Sequence, residues 1–227
     1  MPVTINGSNT PTAGGVVYGD GTNYASTSAG TSGQVLTSAG SGAPTWATPS
    51  AGAMTLLSTI TASSSATVDV ETGFGATYDS YMILGTGLVA ASTSAGGLSF
   101  RLKLGGTYQT AGYAGYVMQP VSGNNAYQGS SYTGSAGPVT LNFGAPASGT
   151  GAALNFTMWV QDVNSTSNVK GAYSTAISFT EGTNTVNVST AGAMVNNVTT
   201  VLTGVRFFAQ TGNIASGTFR LYGISKT

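Results

Sequence analysis

Strict two-residue alternation is the feature that leaves this chain least choice of fold. In LSFRLKLG, Leu98, Phe100, Leu102 and Leu104 fall on one side of an extended backbone and Ser99, Arg101 and Lys103 on the other, the period of a strand with one buried face. ALNFTMWVQDV sets Leu154, Phe156, Met158 and Val160 against Asn155, Thr157, Trp159 and Gln161, and TFRLYGI sets Phe219 and Leu221 against Arg220 and Tyr222. MTLLSTI, ATVDV, SYMILGTGLVA, PVTLNF, STAISF, NTVNVS and TVLTGVRFFAQ bring the predicted strands to about ten, separated by Gly, Ser and Asn turns. No stretch carries helical spacing over three turns, and 34 Gly and 7 Pro with few Glu, Lys and Arg disfavour helices. The expectation is an all-β chain in which an extended, intertwined β segment over residues 1–53 precedes an antiparallel, jelly-roll-like β-sandwich over 54–227.

The leading segment differs from the rest. Its apolar residues, Val16, Val17, Tyr18, Val35, Leu36 and Trp46 among them, are scattered between the turn signals GDGT, SAGTSG and SAGSGAP. Ordering a backbone costs about 1–2 kcal/mol per residue, which so little apolar surface cannot offset alone. One reading is a flexible Gly/Ser linker. The other is burial between chains: three copies wound about an axis give each apolar cluster two partners and turn unpaired strand edges into shared ladders. Paired Val16–Val17 and Val35–Leu36 and the Trp46 indole, all wasteful in a linker, favour the second.

Six basic and six acidic residues sum to zero net charge, so no field gathers nucleic acid or anionic lipid head groups. The chain has neither Cys nor His, which removes disulfides, thiolate chemistry and the commonest general base and metal ligand. No apolar run approaches the roughly 20 residues of a spanning helix.

The stretch GGVVYGDGTNYASTSAGTSGQVLTSAGSGAPTWATPS resembles a module of tailed-bacteriophage fibre and tail-appendage proteins, carried by YGDGT, then GTSGQVLTS, then GAPTW. The ending ASGTFRLYGISK is similar to the terminal strand of β-sandwich domains in such virion proteins. The resemblance implies a homotrimeric phage tail or baseplate fibre, docked on other virion proteins through residues 1–53, with a head directed at a host receptor such as a glycan. The alternative is an architectural capsid decoration or cement protein without receptor binding. The start MPVTINGSNT carries no secretory pattern, so the expected location is the virion, after synthesis in the host cytoplasm.

No enzyme, cofactor or metal is expected. Asp69 and Glu71, two apart in TVDVE, would share a strand face at a separation compatible with glycoside cleavage; the plainer reading is a solvated edge that discourages strand pairing. Asp20 reads as a turn residue, and Asp162 and Glu181 follow strand ends. GTGLVA lacks the helix and downstream acid of a nucleotide site, and no loop offers the oxygens calcium needs. The richest constellation is 107–137, read as a long loop holding Tyr108, Tyr113, Tyr116, Tyr127 and Tyr132. Tyr113, Tyr116, Asn124, Asn125, Tyr127 and Tyr132 are the candidate receptor contacts, since phenol rings and amides suit a neutral saccharide. The competing reading is packing, within the strand system or between subunits.

Overall fold

The computed structural model describes residues 12–49, 52–92, 97–121, 126–135, 139–141, 153–180 and 185–225. The chain divides into two compact units between Ala51 and Gly52, and no described residue is helical.

The described residues of the first unit form two hairpins. Strand β1 (Val17–Gly19) pairs with β2 (Tyr24–Ser26), and β3 (Val35–Ala39) with β4 (Gly42–Ala47). Asp20 closes the first: its Oδ1 accepts the amides of Thr22 (2.8 Å) and Asn23 (2.6 Å), an Asx turn whose hydrogen bonds hold the carboxyl below its ordinary pKa. The hairpins meet at Trp46, whose Nε1 donates to Ser28 O (2.9 Å) and Thr27 Oγ1 (3.2 Å), with the ring lying over Gly30. Every described strand of this unit finds one partner within the chain, because its Gly-containing turns reverse direction within a few residues.

Among its described residues the second unit holds thirteen strands: β5 (Met54–Ser65), β6 (Val68–Val70), β7 (Ser80–Ala90), β8 (Leu98–Leu104), β9 (Thr107–Tyr108), β10 (Tyr113–Val121), β11 (Ala126–Ser135), β12 (Val139–Thr140), β13 (Leu154–Val160), β14 (Gly171–Thr180), β15 (Thr185–Val195), β16 (Leu202–Ala209) and β17 (Ile214–Ile224). All described pairings are antiparallel. The larger sheet has the order β11-β10-β15-β14-β13-β7-β17-β5; the smaller runs β12-β8-β16-β6, with β9 beside β8. The quartets β5-β17-β7-β13 and β6-β16-β8-β12 thus lie in different sheets, and the chain crosses between them repeatedly. Strands β14, β15, β10 and β11 extend the larger sheet beyond β13.

The inward positions of both sheets make one core. Phe156 of β13 and Phe219 of β17 meet Phe207 of β16 with ring centroids 5.2 and 5.0 Å apart, and all three rings are buried with Leu102, Ile83, Leu154 and Leu221. Gly85, in the GTG stretch, lies under the Phe156 ring, where a Cβ would stand 2.1 Å from Cε1. That glycine serves packing inside a continuous strand, not a phosphate. Each of the ten apolar runs contributes a strand. The region 107–137 is a correction: its described part forms β9, β10 and β11, because Tyr113, Val117 and Gln119 alternate inward while Tyr116, Met118 and Pro120 face out.

Candidate functional site: an aromatic cleft on the larger sheet

The two sheets differ sharply in charge. The eight strands of the larger one contain a single charged residue, Arg220. On the smaller, Arg101, Lys103, Asp69 and Arg206 sit with Glu71 just after β6.

On the outer face of the larger sheet lies a cleft of about 560 Å³ walled by Tyr116, Tyr173, Trp159, Gln161 and Met194, within the range of small-ligand sites. Its shape follows from register. Tyr116 of β10 and Tyr173 of β14 both stand opposite Gly192 of β15, and Trp159 of β13 stands opposite Tyr173. The missing side chain at Gly192 opens a trough between the tyrosines, each 48 % exposed. Ring faces beside a terminal amide, with no ionised side chain among the lining residues, can stack on an apolar ring surface and hydrogen-bond to hydroxyls. They offer no acid or base.

Of the residues picked from sequence, Tyr116 lines this cleft. Tyr113 does not, which corrects its assignment as a receptor contact: it is wholly buried, its hydroxyl accepting Leu102 N–H (2.8 Å) and donating to Gln109 O (3.2 Å), with its pKa pushed up to about 12 by burial. It ties β10 to β8 and so holds the sheet extension against the core. Asn124 and Asn125 lie outside the described residues. Tyr127 and Tyr132 occupy backbone positions in β11 opposite Pro120 and Gly115, and their side chains lie outside the description. Trp159, Tyr173, Gln161 and Met194 went unpicked; the available signal was the indole of Trp159 on the polar side of an alternating strand.

In the first unit, Trp46 and Tyr18 are half-buried, as is Val16, while Val17, Val35 and Leu36 stand exposed together with Tyr24.

The carboxylate pair is committed elsewhere. Asp69 receives Nε and Nη2 of Arg206 at 2.7 and 2.6 Å, and Arg206 stacks 4.0 Å above the Tyr108 ring. Glu71 accepts from Tyr108 Oη and from Lys103 Nζ (2.9 Å). Tyr108 first, and then Lys103, hold the Glu71 carboxyl below its ordinary range, the opposite of what a general acid needs. Strand β6 is the edge of its sheet, so these charges do sit on an edge, as ion pairs.

A depressed carboxyl contributes stability that is present above its unfolded value, 4.5, and is lost as pH falls through the folded value. Wild type is expected to lose more stability than Glu71→Gln between pH 7 and pH 3. The difference is under about 1 kcal/mol, since the pair is partly solvated; urea unfolding at both pH values measures it.

Among the described residues no group of three or more acidic, Cys or His side chains could hold a metal, and no helix is long and apolar enough to cross a membrane. The chain matches no protein-family model, no curated protein and no solved structure.

Proposed function

We propose that this chain is a structural virion protein, a homotrimeric phage tail or baseplate fibre whose head attaches to a host surface glycan through the aromatic cleft of its larger sheet. The cleft of Tyr116, Tyr173 and Trp159 around Gly192 carries the reading, because an open, uncharged aromatic trough presents ring faces on which the apolar face of a sugar can lie. The strand order supports a jelly-roll head: the quartets β5-β17-β7-β13 and β6-β16-β8-β12 are those of two interleaved Greek keys, an architecture used by capsid and lectin domains. Val17, Tyr24, Val35 and Leu36 are each exposed, apolar groups that sister copies or a docking platform on the virion would cover. Adhesion rather than glycoside cleavage is favoured by the pairing of Asp69 and Glu71 with Arg206 and Lys103.

Purified chain applied to a panel of bacteria that differ in surface polysaccharide tests this. Wild type is retained on some strains, and Tyr116→Ala/Tyr173→Ala reduces retention by more than about tenfold, two lost stacking contacts. Retention untouched by the double variant, or absent from every strain, contradicts the reading. Absent retention favours the second reading, a decoration or cement protein contacting only virion partners. The aliphatic residues Ile177, Val186 and Val188, exposed on the same face, are what recommends it.

A further inference from the structure

Strand register extends the cleft into a track. Reading across the larger sheet through paired residues, Tyr116 leads to Gly192, Tyr173, Trp159, Met82, Tyr222 and finally Leu56. With strands about 4.8 Å apart, the row from Tyr116 to Tyr222 measures roughly 24 Å. All seven positions lie on the outer face; Tyr116, Tyr173 and Leu56 are exposed, and Trp159, Met82 and Tyr222 are half-buried. Two residues along each strand, three along β5 where the register shifts, runs a second row: Met118, Thr190, Thr175, Thr157, Leu84, Arg220 and Thr59.

An aromatic row beside a hydroxyl row is an amphipathic strip. A linked chain of pyranose rings has matching surfaces: C–H faces that lie on aromatic rings, and hydroxyl edges that both donate to and accept from threonine. We propose that the outer face of the larger sheet holds an extended, uncharged polysaccharide laid across the strands, its rings on Tyr116, Tyr173, Trp159 and Tyr222 and its hydroxyls toward Thr190, Thr175, Thr157 and Arg220. This rests on the glycan-binding reading of the head and adds to it the length, direction and charge of the ligand.

Charge selects the ligand class. Arg220 is the one cation along the whole track, and part of its donor capacity goes to Thr86 Oγ1 (3.1 Å), so a polyanionic glycan gains little there. Hydroxyls also argue against a dry protein contact. An apolar partner would strip water from Thr157, Thr175 and Thr190 without replacing its hydrogen bonds, which is costly. A sugar edge replaces them.

Calorimetric titration of the whole chain with neutral oligosaccharide ladders, from monosaccharide to hexasaccharide in the cello, malto, laminari and chito series, tests the track together with polysaccharide extracted from the bacteria that retain the chain. Affinity is expected to rise by roughly tenfold or more from disaccharide to hexasaccharide in the series that binds, through aromatic contacts reached only by a longer chain. Tyr222→Ala is expected to remove most of that gain between disaccharide and hexasaccharide, and added salt changes neither affinity. The track is overturned if disaccharide binds as tightly as hexasaccharide, if Tyr222→Ala is silent while Tyr173→Ala abolishes binding, or if only carboxylated or phosphorylated glycans bind. In those cases adhesion through a local pocket survives. No binding to any ladder or extract, with cells still retained, overturns the track alone; loss of cell retention as well overturns both readings. A lower sedimenting mass for Tyr222→Ala would make the face an interface between copies, which also overturns it.

Discussion

Phe207→Ala is expected to destabilise the second unit by about 3–5 kcal/mol, the usual range for truncating a buried aromatic ring. Phe207 is fully buried on β16, the strand between β8 and β6, and its ring bridges the sheets to Phe156 and Phe219. Truncation leaves a void between the layers that neither neighbour can fill, since Phe156 is already fixed over Gly85. Domains of this kind are stable by about 5–15 kcal/mol, so the loss is a large fraction of the total. Urea unfolding followed by tyrosine emission measures it, with Phe207→Leu expected to lose far less. A loss under about 1 kcal/mol for the alanine variant would mean that the sheets do not share this core.

Gly115→Ala is expected to abolish the cleft while sparing the strands around β17. A Cβ at Gly115 would fall 2.1 Å from Gly192 O and 2.6 Å from Ala193 Cα. These are backbone atoms of the neighbouring strand and cannot turn aside as a side chain would. The β10–β15 ladder must part, carrying Tyr116 away from Gly192 and Tyr173. Amides of β10 and β11 then exchange faster, those of β5, β7 and β17 stay protected, and retention on cells falls as in the tyrosine double variant. Gly129→Ala in β11 is the control, because its new methyl meets nothing nearer than Val117 O at 3.8 Å. Unchanged exchange in β10 of the Gly115 variant would contradict the pairing.

What could be read in the sequence was whatever is local. Ten strands announced themselves because alternation is a property of neighbours along the chain. The Asp20 turn was legible for the same reason, its amide partners lying two and three residues on. Strands β9 to β11 were hidden behind a loop-like mixture of Gly, Ser and Tyr, since the inward positions that hold β10 in place, Tyr113 and Gly115, act through contacts with β8 and β15. The fate of Asp69 was likewise out of reach: its cation, Arg206, stands 137 residues away in sequence. The cleft joins β10, β13, β14 and β15, so only register could bring Tyr116, Tyr173 and Trp159 together. Its local traces were Tyr116 in the tyrosine-rich stretch and the Trp159 indole on the polar side of an alternating strand.

On the proposed reading a glycan meets the outer face of the larger sheet, and Trp159 sits in the middle of that face. Its fluorescence during titration of the whole chain with polysaccharide from retaining bacteria is the most direct reading. A saturable change in emission is expected, one that survives Trp46→Phe and disappears in Trp159→Phe. Emission that stays flat while the polysaccharide demonstrably binds would put the contact elsewhere and overturn the glycan-binding role of this face.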